Sequence, residues 1–411
     1  MKIRSLQAFL LSYPLPDTPK LEYYGGERTI LKRDAMLIRV EADNGLKGYA
    51  PGAASEHWKK RLEEEIAPFL VNRTAADADA LRVRFLEQHG GDAELVKIYH
   101  AMEVALYDLI GKHHGLPVSE LLGGRVRDRI LLYGSAGMYM SPEGYAAEAV
   151  RAREMGFRAY KMRPALGPDG DVEAVRQMRM ATGPGFELMV DAHTWWRMGD
   201  RSYSPETVEQ VARGMAEYDI TWLEEPLPPA GHDAYQQLLE KDIVLLAAGE
   251  HEQDEAGFLD LIERPCVDYV QMDVVCQGGY GMGRRIFSAV ARQGLQFAFH
   301  SWGTALEVVA AAQIGICWPD NVVPWLEYPC YSTPEREFMY PWPLAAEILT
   351  EPLLIEEGQL VVSGKPGLGV EVDESVIERY PWIPGPWSVF TLFSPRETFA
   401  VVADHSIRWT A

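Results

Sequence analysis

The chain has 411 residues, 47% hydrophobic and 24% charged, with 36 Gly and 27 Pro, the make-up of a folded protein large enough for a barrel with an appended domain. Lys plus Arg number 39 against 60 Asp plus Glu, a formal net charge of −21, which argues against nucleic acid or anionic membrane surfaces as partners, since both are bound by clustered positive charge. The four cysteines lack CxxC spacing, so neither a disulfide framework nor a zinc knuckle is expected and a reducing cytoplasm is the expected setting; no apolar run approaches the roughly 18 residues of a membrane span.

In chain order, the first third alternates strand and helix patterns without a βα repeat. Strands are expected at 5–12, 36–42 and 46–50, and helices at 58–70, 75–88 and 95–112. This segment, 1–125, reads as an α+β domain. Between its strands, 13–27 (YPLPDTPKLEYYGGE) and 51–56 (PGAASE) read as loops. From 126 to 345 short β-type runs alternate with helical stretches, the signature of βα units and a parallel sheet. The expected strands are 130–135, 158–162, 186–191, 222–225, 244–250, 269–273, 297–300 and 323–327, with helices such as 142–155, 205–217 and 280–293 between them. Eight such strands close a barrel, and no GxGxxG follows the first strand to favour an open dinucleotide-binding sheet. The fold class is therefore α/β, a (β/α)7β TIM-like barrel. The tail, 346–411, is strand and turn punctuated by GKPGLGVEVD at 364–373; it is expected to complete a capping domain over one end of the barrel.

Functional groups of a parallel barrel gather at the carboxyl ends of its strands. Those ends carry Lys161 and Arg163, Asp191 and His193, Glu224, Glu250, Asp273, His300 and Glu327, while the strand interiors are apolar. Asp191, Glu224 and Glu250 lie on successive strands and converge at the mouth. Packed together without a cation they would repel and raise one another's pKa, and an all-oxygen donor set suits Mg²⁺ better than zinc or copper. Strand alternation turns only one of the two glutamates in Trp222-Leu-Glu-Glu-Pro226 inward; Glu224 is assigned, leaving Glu225 for a loop or basic neighbour.

The order LysXArg, AspAlaHis, TrpLeuGluGluPro, GlyGlu, AspX4GlyGly, HisX2Gly and LeuGlu resembles the mandelate racemase subgroup of the enolase superfamily. The likeness extends to Ala105-Leu-Tyr-Asp108-Leu-Ile-Gly111-Lys112, Leu121-Leu-Gly-Gly124 and Pro366-Gly-Leu-Gly369, and so covers essentially the whole chain. The resemblance implies removal of the proton next to a substrate carboxylate with Mg²⁺ bound at Asp191, Glu224 and Glu250, a His300–Asp273 dyad as base, and Glu327 as the acid that hydrogen-bonds the substrate carboxylate opposite the metal. It also makes 13–27, with Lys20 and Tyr24, and 51–56 the specificity loops; Trp195, Trp196 and Arg197 are expected to add a wall.

Two departures narrow the chemistry. Many relatives carry Lys-X-Lys on the second strand, where this chain has Lys161-Met162-Arg163; arginine stays protonated and is a poor base. His193 stands where the subgroup commonly has asparagine, two residues past Asp191 and so on the same side, able to contact a substrate hydroxyl or donate a proton to it. The expected activity is an Mg²⁺-dependent acid-sugar (aldonate or aldarate) dehydratase giving a 2-keto-3-deoxy acid. The alternatives are a racemase, epimerase or cycloisomerase, or an inactive binding or structural homologue. The expected partner is a small sugar acid or other carboxylate, with no nucleic acid or membrane partner, in a homo-oligomer.

Overall fold

The computed structural model describes residues 1–330, 341–393 and 398–401, the last four by backbone alone. The stretches 331–340, 394–397 and 402–411, which belong to the ends of the expected barrel and tail segments, lie outside the described residues.

The chain starts with β1 (Ile3–Pro14), β2 (Lys20–Tyr23), β3 (Gly26–Ile30), β4 (Lys32–Ala42) and β5 (Lys47–Gly52). Strands β1, β4 and β5 form an antiparallel sheet. A helical run from Glu56 to Leu70, with a π turn at Leu62–Ile66, and the helices Ala78–His89 and Ala93–His114 follow. The last has a clear start and stop: the Asp92 carboxylate accepts from Leu95 N at 3.0 Å, and Gly115 closes it with a left-handed φ of 69°. It lies so close on β5 that a Cβ on Gly48 would sit 2.1 Å from Ala105 O.

Asp108, buried on that helix, explains the motif around it. Its carboxylate accepts from Tyr49 N at 2.9 Å, Leu368 N at 2.8 Å and Lys112 Nζ at 2.7 Å. One side chain thus ties β5, the long helix and the Pro366–Gly369 turn together, and a Cβ on Gly367 (φ 70°) would lie 2.2 Å from Asp108 Oδ1.

The barrel comprises β6 (Arg129–Met138), β7 (Ala159–Arg163), β8 (Glu187–Asp191), β9 (Trp222–Glu224), β10 (Leu246–Ala248), β11 (Tyr269–Met272), β12 (Gln296–Phe299) and β13 (Trp325–Pro329). All eight pair in parallel with their neighbours, and β13 pairs back to β6. The hairpin β14 (Ile355–Glu356) and β15 (Gln359–Val361) adds antiparallel to β6. After it, β16 (Ser388–Leu392) and β17 (Thr398–Val401) join β3 and β2 in a four-stranded sheet. The cap over the barrel is therefore built from both ends of the chain.

The segment 13–27 expected as a loop is largely structured, since β2 and β3 form a hairpin there, in register Lys20↔Thr29 to Tyr23↔Gly26. Its glycines permit the pairing: a Cβ on Gly26 would lie 2.2 Å from Thr391 O of β16. The strand partner, more than 350 residues away in sequence, is what makes this short run a strand.

Candidate active site

Each barrel strand contributes one residue to an inner layer: Tyr133, Ala159, Met189, Trp222, Ala247, Tyr269, Ala298 and Trp325 pack as one buried cluster. Period-two alternation places the residue two positions on at the same inward side. Those residues are Ser135, Lys161, Asp191, Glu224, Gly249, Gln271, His300 and Glu327. A purely apolar layer is thus followed, one pleat toward the carboxyl ends, by a polar one. The same alternation turns Glu224 inward and Glu225 away. Trp222 Nε1 donates to Glu224 Oε2 at 2.9 Å, whereas Glu225, with a strained φ of 43°, meets His251 Nδ1 at 2.5 Å.

Lys161 Nζ lies 2.6 Å from Glu224 Oε1, 3.1 Å from Glu327 Oε1 and 3.7 Å from Asp191 Oδ2. Arg163 Nε lies 3.1 Å from Asp191 Oδ2 and its Nη2 3.4 Å from Glu327 Oε1, while the guanidinium stacks 4.1 Å from the centre of the Trp302 ring. Cations and anions alternate, and the titration directions follow. Burial pushes Glu224 up to about 8 against the pull of Lys161. For Glu327 burial is overcome by Lys161, His300 and Arg163, which hold it down at about 2. Lys161 is held well above the ordinary lysine value by Glu224 and Glu327 in spite of its burial.

Asp273 and His300 meet as expected, Nδ1 to Oδ2 at 3.0 Å. The other Asp273 oxygen accepts from Val275 N at 2.7 Å and Cys276 N at 2.9 Å. The turn after β11 therefore fixes the carboxylate and leaves one oxygen for the imidazole. Burial would lower the His300 pKa, but Glu250, whose Oε2 is 3.3 Å from Nε2, and Asp273 raise it to about 10. Gly249, at φ 133°, cannot carry a side chain because its Cβ would be 2.3 Å from Gln271 O; the chain turns there and presents Glu250 to the mouth. His193 Nδ1 sits 2.7 Å from Asp191 Oδ1, and burial lowers its pKa.

Two groups of side chains could hold a metal ion among the described residues: Asp191, Glu224 and Glu250, and Glu225, Glu250 and His251, each with ligand atoms within 4.8 Å of one another. In the first set Asp191 Oδ2 and Glu250 Oε2 are buried without a hydrogen bond.

Glu250 and His251 reach a cavity of about 500 Å³ between barrel and cap, lined from the barrel also by Arg163, His193, Arg197, Asp273 and His300, whereas Lys161, Asp191, Glu224 and Glu327 are fully buried and do not line it. Three expected binding residues are not part of that wall. Trp195 is fully buried behind it, its Nε1 donating to Asp171 at 2.9 Å and its ring stacked 4.9 Å from Tyr203; an apolar ring at a loop start packs inward. Lys20 points to solvent, 68% exposed, and pairs with Glu27. Tyr24 is 41% exposed at the hairpin turn, where Arg201 lies over its ring. Both lie on the outward edge that hairpin formation creates. Trp196 does line the cavity, as does Ala53 of the 51–56 loop, where Ser55 caps the helix that follows. Tyr23, within the 13–27 segment expected to close over the substrate, lines the cavity; sequence reading missed the cap residues Arg28, Trp387 and Phe390, for which no local pattern exists. It also missed His251, which follows Glu250 directly.

Residues 144–376 match the family described as enolase C-terminal domain-like, and residues 26–123 the mandelate racemase / muconate lactonizing enzyme N-terminal domain. The chain is 25% identical to the D-galactarolactone cycloisomerase of Agrobacterium fabrum over 92% of this chain and 99% of that protein. It is 29% identical to the L-rhamnonate dehydratase of Saccharopolyspora erythraea over 84% of this chain and 85% of that protein. The crystal structure of the 3,6-anhydro-D-galactonate cycloisomerase from Zobellia galactanivorans superposes with a TM-score of 0.79 at 27% identity, covering 92% of this chain and 99% of that one. With both domains matched and the barrel closed around this polar layer, the chain belongs to the mandelate racemase / muconate lactonizing enzyme family of the enolase superfamily.

Proposed function

We propose that the chain is an Mg²⁺-dependent acid-sugar dehydratase, and the observation that carries this reading is the Asp273–His300 pair facing the cavity beside Glu250, with an arginine instead of a second lysine at position 163. Members of the superfamily typically bind Mg²⁺, and the donor set fits: three carboxylates at one rim, two of their oxygens buried without a hydrogen bond. Asp191, Glu224 and Glu250 are the proposed ligands. The bound ion supplies charge stabilisation for the carboxylate oxygens on which negative charge develops.

In its neutral form His300 takes the C2 proton, with Asp273 orienting its imidazole so that Nε2 faces the substrate. Lys161 and Arg163 hold the substrate carboxylate region by positive charge, and Glu327, fixed by Ser301 N at 2.8 Å, contacts it from the side opposite the ligands. The C3–O bond breaks and the hydroxyl leaves as water, its proton returned by His300 or supplied by His193; the resulting enol then tautomerises to the 2-keto-3-deoxy acid. The test is a panel of sugar acids incubated with protein and Mg²⁺ and read with semicarbazide for 2-keto acids. Absence of product and of solvent deuterium exchange at C2 across the panel would overturn the reading.

A second reading, a cycloisomerase, is favoured by the likeness to two proteins of that name. The same proton removal with the leaving oxygen tethered in a ring yields a product isomeric with the substrate, so product mass separates the two.

A further inference from the structure

Four buried cations among the described residues lie against carboxylates. Arg82 lies 2.6 Å from Asp79, Lys32 3.0 Å from Asp34, Lys161 2.6 Å from Glu224 and Arg163 3.1 Å from Asp191, as expected when a charge leaves water. Arg28 differs from these four. It is 7% exposed, stands on β3 opposite Phe390 of β16, and has no carboxylate within salt-bridge distance among the described residues. Its Nε donates to Ser388 Oγ at a long 3.4 Å and its Nη1 contacts Met138 Sδ at 3.6 Å, both weak partners for a charged donor.

The guanidinium is nevertheless held firmly. Its carbon lies 4.5 Å from the centre of the Trp387 ring and 4.6 Å from that of Phe390, a sandwich that fixes a cation in place while satisfying none of its N–H groups. Arg28, Trp387 and Phe390 all line the same cavity as His300 and Glu250, and Arg33 and Lys97 line it too. Nη2 makes no hydrogen bond among the described residues, and Arg28 lines that cavity. In a chain of net charge −21, a clamped, unpaired guanidinium facing a binding cavity asks for an anion from the ligand.

We infer that Arg28 reads a second, terminal oxyanion on the substrate, at the end remote from the carboxylate that reacts at the barrel mouth. The substrate class is then a doubly anionic sugar acid: an aldarate, or an aldonate carrying a phosphate ester at its far end. This inference rests on the acid-sugar reading above. It divides the site, with the barrel holding the reacting carboxylate and the cap, through a strand from each end of the chain, selecting the other terminus.

The experiment uses matched sets of sugar acids that share configuration and differ only at the far carbon, as alcohol, carboxylate or phosphate ester. Wild-type protein with Mg²⁺ should favour a charged member over its alcohol by about 10- to 100-fold in kcat/KM, the range of a charge-assisted hydrogen bond. Whether carboxylate or phosphate wins identifies the oxyanion. Arg28→Met should bring the ratio toward one, mainly through KM, and Arg28→Lys should recover part of it; melting curves establish that each variant is folded. Equal or better turnover of the alcohol by wild type overturns the inference, and so does an equal loss for all members in Arg28→Met. If no compound is turned over, the dehydratase reading falls by itself. Calorimetry of Mg²⁺-loaded His300→Asn with the same sets then decides: tighter binding of doubly charged members that vanishes with Arg28→Met sustains the inference, and indifference to the second charge sinks it.

Discussion

Asp171 offers a test of how burial and hydrogen bonding balance in this fold. It lies on the helix Pro168–Thr182, fully buried, with Oδ1 accepting from Leu166 N at 2.8 Å and Oδ2 from Trp195 Nε1 at 2.9 Å and Tyr203 OH at 2.8 Å. Because Tyr203 N also bonds Trp195 O at 2.9 Å, this one carboxylate pins both ends of the loop that carries Trp196 and Arg197 into the cavity. Burial outweighs the three donors and pushes its pKa up to about 7. A carboxyl whose folded pKa exceeds its unfolded one of about 3.9 stabilises fully below the latter, and that stabilisation is lost as pH rises through about 7. Between about pH 5 and pH 8 the loss is about 2–3 kcal/mol at about 1.4 kcal/mol per pKa unit. Asp171→Asn does not titrate; with its oxygen placed at the Oδ2 position it keeps Trp195 and Tyr203 and forfeits only the Leu166 bond. The variant should therefore gain on wild type by about that amount from about pH 5 to pH 8, a change of a few degrees in the Tm difference. Parallel pH–stability curves for the two proteins would refute the argument, and a steeper loss for the variant would show that the ionised form is the stable one.

The remaining predictions concern the chemistry. Removal of one proposed ligand, by Glu250→Gln or Asp191→Asn, should abolish turnover, and exhaustive EDTA should do so reversibly on Mg²⁺ addition; full activity after chelation sinks the metal assignment. His300→Asn should lose both product and C2 deuterium exchange, whereas Asp273→Asn, which gives up a charged hydrogen bond worth about 1.5–3 kcal/mol, should be slowed about 10- to 100-fold with Tm little changed; undiminished exchange in His300→Asn places the base elsewhere. Because Arg163 is permanently charged and wedged between Asp191 and Glu327, wild type should process one C2 configuration and show no epimer in recovered substrate by chiral analysis. Rapid epimerisation would favour the isomerase alternative.

How legible this was in the sequence depended on the range of the interactions involved. The barrel strands were readable because a buried parallel strand is a short apolar run, and the polar layer because each ionisable group sits two residues past an apolar one, as in Ala159–Lys161, Met189–Asp191 and Trp222–Glu224. Strand ends were less exact: β10 stops at Ala248, two residues before Glu250, because Gly249 leaves the strand. Most of the hairpin at 20–30 falls within 13–27, which reads as loop because nothing within it announces its partner Ser388–Leu392. The side chains misplaced around the cavity, Lys20, Tyr24 and Trp195, follow from the same blindness: their direction is set by tertiary pairing rather than by neighbours in the chain.

That difference in range bears on how the site divides its work. The proposed ligands, dyad and cations all sit on barrel strands or within two residues of them, where a closed ring of parallel hydrogen bonds fixes their spacing and where any one charge is balanced by its neighbours. Replacing Lys161, for example, would strip Glu224 and Glu327 of their nearest cation at once, so the residues of this layer are bound to one another electrostatically. Arg28 is under no such constraint. It is clamped by two aromatic rings from the far end of the chain, and its exchange for a neutral residue unpairs no carboxylate among the described residues. The wall proposed to select the substrate's remote end can change without disturbing the charges at the barrel mouth, because the two share a cavity and no ion pair.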